Sequence, residues 1–158
     1  MKFLNTPKIT FFLFTLATII SCGKEEVLPP DNLIGQWNVY SITDTSGSVI
    51  VWDELVADLV NLIPTYSCME FTASVTEQLV TTRYVLADEN STACKSPIVS
   101  AYTWLVDTDS GNYYFTQGNI TNEYLISFSN SNNRMTWVDQ TNGTITVWDR
   151  EQQTTTTE

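Results

Sequence analysis

After Ile34 the chain alternates short runs rich in β-branched and aromatic residues with clusters of Asn, Asp, Gly, Ser and Thr, and this rhythm leaves few folds open. The runs read IGQWNVYSIT, SCMEFTAS, EQLVTTRYVL, IVSAYTWLV, YYFTQ, EYLISFS, RMTWVD and TITVWDR. Eight such segments at close spacing predict an antiparallel meander. Apolar residues fall on alternate positions within them. Met69 and Phe71 share a face, as do Tyr124, Ile126 and Phe128, then Met135 and Trp137, then Ile145 and Val147. One apolar side per strand is what a closed or strongly curled sheet requires. Asn142-Gly143, before the last run, predicts a two-residue hairpin turn.

One stretch breaks the period. WDELVADLVNLI sets Trp52, Leu55, Val56, Leu59, Val60 and Ile63 at helical spacing, with Asp53, Glu54, Asp58 and Asn61 on the opposite face. Acids near its start suit the helix dipole, and Pro64 stops it. It predicts one amphipathic helix between the first and second strands, lying over the sheet or closing a barrel end. An immunoglobulin-type sandwich, the competing arrangement, does not normally carry a helix so early.

The N-terminus has a different character. Lys2 and Lys8 flank the start of an apolar run, Ile9 to Ile20, of about a dozen residues. A membrane-spanning helix needs about 20, and a buried core helix would carry a polar face, where this run has only scattered threonines. Residues 1–21 are therefore expected to be a cleaved export signal. Its end, Ile19-Ile20-Ser21-Cys22, resembles the lipobox of bacterial lipoproteins. That resemblance implies cleavage before Cys22, diacylation of its thiol and acylation of the new amine. One chain gives only reversible attachment, and each buried CH₂ adds about 0.8 kcal/mol, so two or more chains make a stable anchor. Lys24-Glu25-Glu26 resembles a surface-export signal of lipoproteins from the Bacteroidetes group. It implies an outer-membrane protein displayed on the cell surface, the alternative being the periplasmic face. Residues 22–32 read as a lipidated tether stiffened by Pro29-Pro30, residues 33–150 as the folded domain, and residues 151–158 as a low-complexity, disordered tail.

Cleavage leaves five basic residues against eighteen acidic ones, a net charge of −13. Such a chain repels phosphate backbones, so no nucleic-acid partner is expected. Cys68 and Cys94 remain once Cys22 is assigned to lipid, and in an oxidising compartment a disulfide is the default. The chain has no histidine, the commonest general base and metal ligand. No catalytic residues, metal or cofactor are expected, and an enzyme would need a carboxylate pair that the sequence does not single out.

Gly35-Gln36-Trp37 on the first strand resembles the G-x-W signature of lipocalins, and more closely the lipocalin-like domains of Bacteroidetes lipoproteins. The likeness runs through Cys68, Phe71 and Cys94 and covers about residues 33–150. It implies an all-β, eight-stranded, up-and-down barrel whose closed end is plugged by Trp37 beneath a distal arginine. Arg150 is the candidate, with Arg134 as a rival. The helix departs from the lipocalin pattern, where the main helix follows the last strand.

An eight-stranded barrel has room for its own side chains or one small molecule. The expected inward residues are bulky: Trp37, Phe71, Tyr102, Trp104, Phe115, Tyr124, Phe128 and Trp137. Two readings follow. In one, a pocket lined by Tyr102, Trp104 and Trp137 binds a small hydrophobic or glycan ligand, or the protein is an accessory of a surface complex. In the other, the barrel fills itself and the protein is a structural or protein-interaction lipoprotein. DTDSGN (Asp107 to Asn112) has a passing likeness to a calcium loop, but Gly111 sits at position five, where an EF-hand wants glycine at six, so a hairpin turn is expected.

Overall fold

The computed structural model describes residues 31–88 and 90–152. The expected signal peptide, Cys22, the tether as far as residue 30 and the tail from residue 153 lie outside these described residues.

Strand β1 (Gly35–Thr43) is followed by the short β2 (Val49–Val51), helix α1 (Trp52–Leu62) and a 3₁₀ turn (Pro64–Cys68). Then come β3 (Glu70–Val75), β4 (Leu79–Val85), β5 (Ile98–Val106), β6 (Asn112–Gln117), β7 (Ile120–Ser129), β8 (Arg134–Asp139) and β9 (Ile145–Arg150). Each pairs antiparallel with its neighbour from β3 to β9, and β1 bridges β3 and β9, so eight strands close into an up-and-down, lipocalin-like barrel. The expected fold class and helix position are those observed.

Several local expectations need correction. SCMEF does not begin as a strand. Pro64 fixes a helical φ at the start of the 3₁₀ turn, and Cys68 ends that turn, two residues before β3 begins at Glu70. In β9 the inward set is Thr146 and Trp148, not Ile145 and Val147. Both parities of TITVWDR carry apolar residues, and the largest, Trp148, goes inside with 1% exposure. Asn142-Gly143 does not make a two-residue turn; it closes a longer loop in which Gly143 (φ +78) donates its N–H to the Asp139 carbonyl at 2.8 Å. The tight hairpin is Gly118-Asn119, where Gly118 (φ +60) supplies the positive φ that a type II′ turn demands.

β1 is shared in an unusual way. Gly35 to Asn38 pair with β3, whereas Ser41 to Thr43 pair with β2 on that same edge. A register shift between Val39 and Ser41 against β9 moves the inward set from Trp37 and Val39 to Ile42.

Aspartates organise the loops. Asp107 Oδ1 accepts the Asp109 N–H (2.9 Å), its Oδ2 accepts the Ser110 hydroxyl (2.8 Å), and Gly111 (φ +76) donates to the Asp107 carbonyl. The DTDSGN segment is therefore a hairpin loop whose first carboxylate is engaged by its own turn. Asp139 repeats this pattern with Thr141 and Asn142, and Asp44 and Asp88 head related turns. These bonds favour the ionised acid, and they hold the Asp44, Asp88 and Asp107 carboxyls below their ordinary range.

Candidate functional site

One end of the barrel is sealed. Trp37 is buried and its indole N–H donates to the Leu33 carbonyl at 2.9 Å. The Arg150 guanidinium lies over that indole, 4.1 Å from the ring centroid. It also donates to the carbonyls of Asn32 (2.6 Å), Ile34 (2.8 Å) and Asn132 (3.0 Å). Gly35 has φ +150, and a Cβ there would run into Arg150 Nη1, so only glycine fits beneath the arginine. Asp31 joins this end by accepting the Tyr113 hydroxyl at 3.0 Å. The barrel's contacts thus reach back to Asp31 and Asn32, just outside the expected domain edge at residue 33. Arg134, the rival, instead forms a two-pronged pair with Asp149 (2.6 and 2.7 Å) and lies over Tyr40.

The opposite end is open and holds a cavity of about 350 Å³. Phe71, Phe115, Trp137 and Trp148 supply its apolar surface, with Tyr84, Tyr102 and Tyr124 beside them. Thr82, Ser100, Thr144 and Thr146 add hydroxyls, Asp139 comes from the end of β8 and Asn142 from the β8–β9 loop. The aromatic rings brace one another. Trp137 lies 4.8 Å from Trp148 and 5.2 Å from Phe115, and Phe115 lies 4.7 Å from Tyr124, between ring centroids. Phe71 and Tyr84 also border a second, smaller cavity of about 220 Å³ below α1, lined further by Ile42, Trp52 and Leu86.

Of the three residues expected to line a pocket, Tyr102 and Trp137 do so and Trp104 does not. Trp104 is two residues past Tyr102 on β5, which places it one side-chain step nearer the sealed end. Its indole N–H donates to the Thr76 carbonyl at 2.8 Å, and its ring packs 6.1 Å from Tyr113. Asp139 was missed because it resembles any other turn acid. The signal was the alternation Met135, Trp137, Asp139, which carries the inward face of β8 to its last residue.

Burial pushes the Tyr124 phenol up to about 12, aided by the neighbouring Asp139 carboxylate and by Tyr102. Tyr124 is therefore a neutral hydrogen-bonding group at physiological pH. Burial and Asp31 likewise raise Tyr113 at the sealed end. Among the described residues no three His, Cys, Asp or Glu side chains gather as a metal site.

The rim of the open end is tied down by a disulfide. Cys68 and Cys94 are bonded as expected, with their Cα atoms 6.3 Å apart, and join the 3₁₀ turn to the β4–β5 loop. The Tyr66 hydroxyl bonds the carbonyls of Asp88 and Ser91, both at 2.9 Å, and Thr65 bonds the Thr92 carbonyl.

Fold and site together define a closed antiparallel barrel, plugged at one end and hollow at the other. Comparison of the chain with protein-family models, curated proteins and solved structures yields no match.

Proposed function

We propose that the chain is a lipid-anchored, lipocalin-like lipoprotein that binds a small ligand, hydrophobic or glycan, in its barrel without chemical turnover. One observation carries this reading: the open cavity of about 350 Å³ with aromatic walls and a hydroxylated rim. That volume falls at the lower end of the range for small-molecule sites, about 300 to 1,000 Å³. Flat aromatic faces suit an apolar body or the face of a sugar ring, and the rim hydroxyls offer a few orienting hydrogen bonds. Non-enzymatic binding accords with a chain that lacks histidine, the commonest general base. The anchor rests on the lipobox-like Ile19-Ile20-Ser21-Cys22, and surface display on Lys24-Glu25-Glu26.

The neutral fluorophore N-phenylnaphthylamine is expected to brighten on binding the full chain with one-to-one stoichiometry. Ser100→Phe, which fills the cavity wall, is expected to weaken that binding by about tenfold or more, a loss of about 1.4 kcal/mol. Equal binding by this variant, with its fold intact by circular dichroism, would place the dye elsewhere and refute the cavity as the site. For the anchor, Cys22→Ser is expected to move the protein from the membrane fraction to the soluble fraction. A variant that stays with the membrane would refute lipidation at Cys22.

A further inference from the structure

The cavity's chemistry narrows the class of ligand, and this step rests on the binding reading above. Among the described residues its lining contains no lysine or arginine, and the chain has no histidine at all. A ligand carboxylate or phosphate would lose water on entry and meet no counter-charge, which is costly. Among the described residues the one carboxylic acid in the lining is Asp139. Its Oδ1 accepts the N–H groups of Thr141 (2.7 Å) and Asn142 (3.3 Å), and its Oδ2 accepts the Asn142 amide at 3.0 Å. A carboxylate has about four lone-pair sites, so these three bonds leave acceptor capacity at the cavity mouth.

The turn itself does not demand the charge, because asparagine heads such turns as readily as aspartate. Asp107 makes the matching bonds in a loop at the sealed end, away from this cavity's lining. Tyr124 sits directly across from Asp139 in the β7–β8 register. Tyr124, Phe115 and Trp137 form a contiguous aromatic wall, with centroid separations of 4.7, 5.2 and 5.9 Å. Aromatic faces carry negative potential and attract cations. An acid at the mouth, a wall of rings beside it and no basic group among the described lining residues all favour the same charge.

We propose that the ligand is a small organic cation, a protonated or quaternary amine on an apolar or aromatic body, with its ammonium at Asp139 and its body against Phe115 and Trp137. The Asp139 charge also contributes to the raised Tyr124 pKa, so its field reaches the aromatic wall.

Three probes of nearly equal size separate charge from shape: phenethylamine, phenethyl alcohol and phenylacetate. Each is titrated into the full chain near neutral pH while the indole N–H resonances are followed by NMR. Phenethylamine is expected to bind about tenfold or more tighter than the alcohol, and phenylacetate weakest of the three. In Asp139→Asn, with its fold intact by circular dichroism, the amine's advantage over the alcohol is expected to shrink to within about twofold. An alcohol that binds wild type as tightly as the amine, or a carboxylate that binds tighter, overturns the proposal. If N-phenylnaphthylamine binds while the amine has no advantage, the cavity stands and the cation inference falls. If neither the dye nor any of the three probes binds, both fall. The wild-type series decides the matter even if Asp139→Asn fails to fold.

Discussion

Trp37→Ala is expected to lower the unfolding free energy of the full chain by about 3–5 kcal/mol, the usual cost of deleting a buried tryptophan. Three losses combine. The side chain is 1% exposed, so its removal leaves a hole at the sealed end. Its ring is the platform for Arg150 and packs 6.4 Å from Phe128. Its N–H also satisfies the Leu33 carbonyl, which the variant leaves without that donor. Whole domains are stable by only about 5–15 kcal/mol, so a loss of this size brings the variant near the folding threshold. Urea denaturation followed by circular dichroism measures it. A midpoint unchanged from wild type would remove Trp37 from its place as the plug.

The second large effect belongs to the disulfide. Cys68→Ser with Cys94→Ser is expected to cost about 3 to 3.5 kcal/mol, from the chain entropy restored to an unfolded loop whose ends are 26 residues apart. The loss should also be local in the folded state. The β4–β5 loop would keep the Tyr66 hydroxyl bonds and the Ala87–Cys94 backbone bridge, yet lose its covalent tie to the 3₁₀ turn. Faster amide exchange is therefore expected across residues 86–95, with the β6–β8 wall little changed. Reductant should lower the wild-type midpoint and leave that of the double variant where it is. Equal midpoints for the oxidised wild type and the double variant would contradict a stabilising bridge.

The barrel was legible in the sequence because strand alternation and turn chemistry are local properties. IVSAYTWLV begins and ends where β5 does, and the helix starts at Trp52 as its spacing implies. Parity alone, however, cannot say how deep an inward side chain sits. Tyr102 and Trp104 share a face of β5, yet closure of the barrel puts one in the cavity and the other toward the plug. β9 was ambiguous because Ile145 and Val147 compete with Trp148, and only the partner strands break the tie. The shift at Val39–Ser41 was invisible because an inserted residue has no composition of its own. The pair Gly35 and Trp37 could be read because a resemblance supplied it. Asp139, the last inward residue of β8, was harder to read, because only closure of the barrel shows which strand ends border the cavity.

Closure by β1 and β9 carries a consequence for how the chain comes to be folded. The seam joins the first strand to the last, and the Arg150 bond to the Ile34 carbonyl spans 116 positions. Contacts of such separation form late, because a long loop must close before they return any energy. Until β9 arrives, one edge of β1 is an unpaired row of amides and carbonyls, open to a strand from another molecule. A chain cut short before residue 145 therefore loses the seam and the arginine over the plug together. Completion of the barrel therefore waits until synthesis has delivered β9 through its last residue, Arg150.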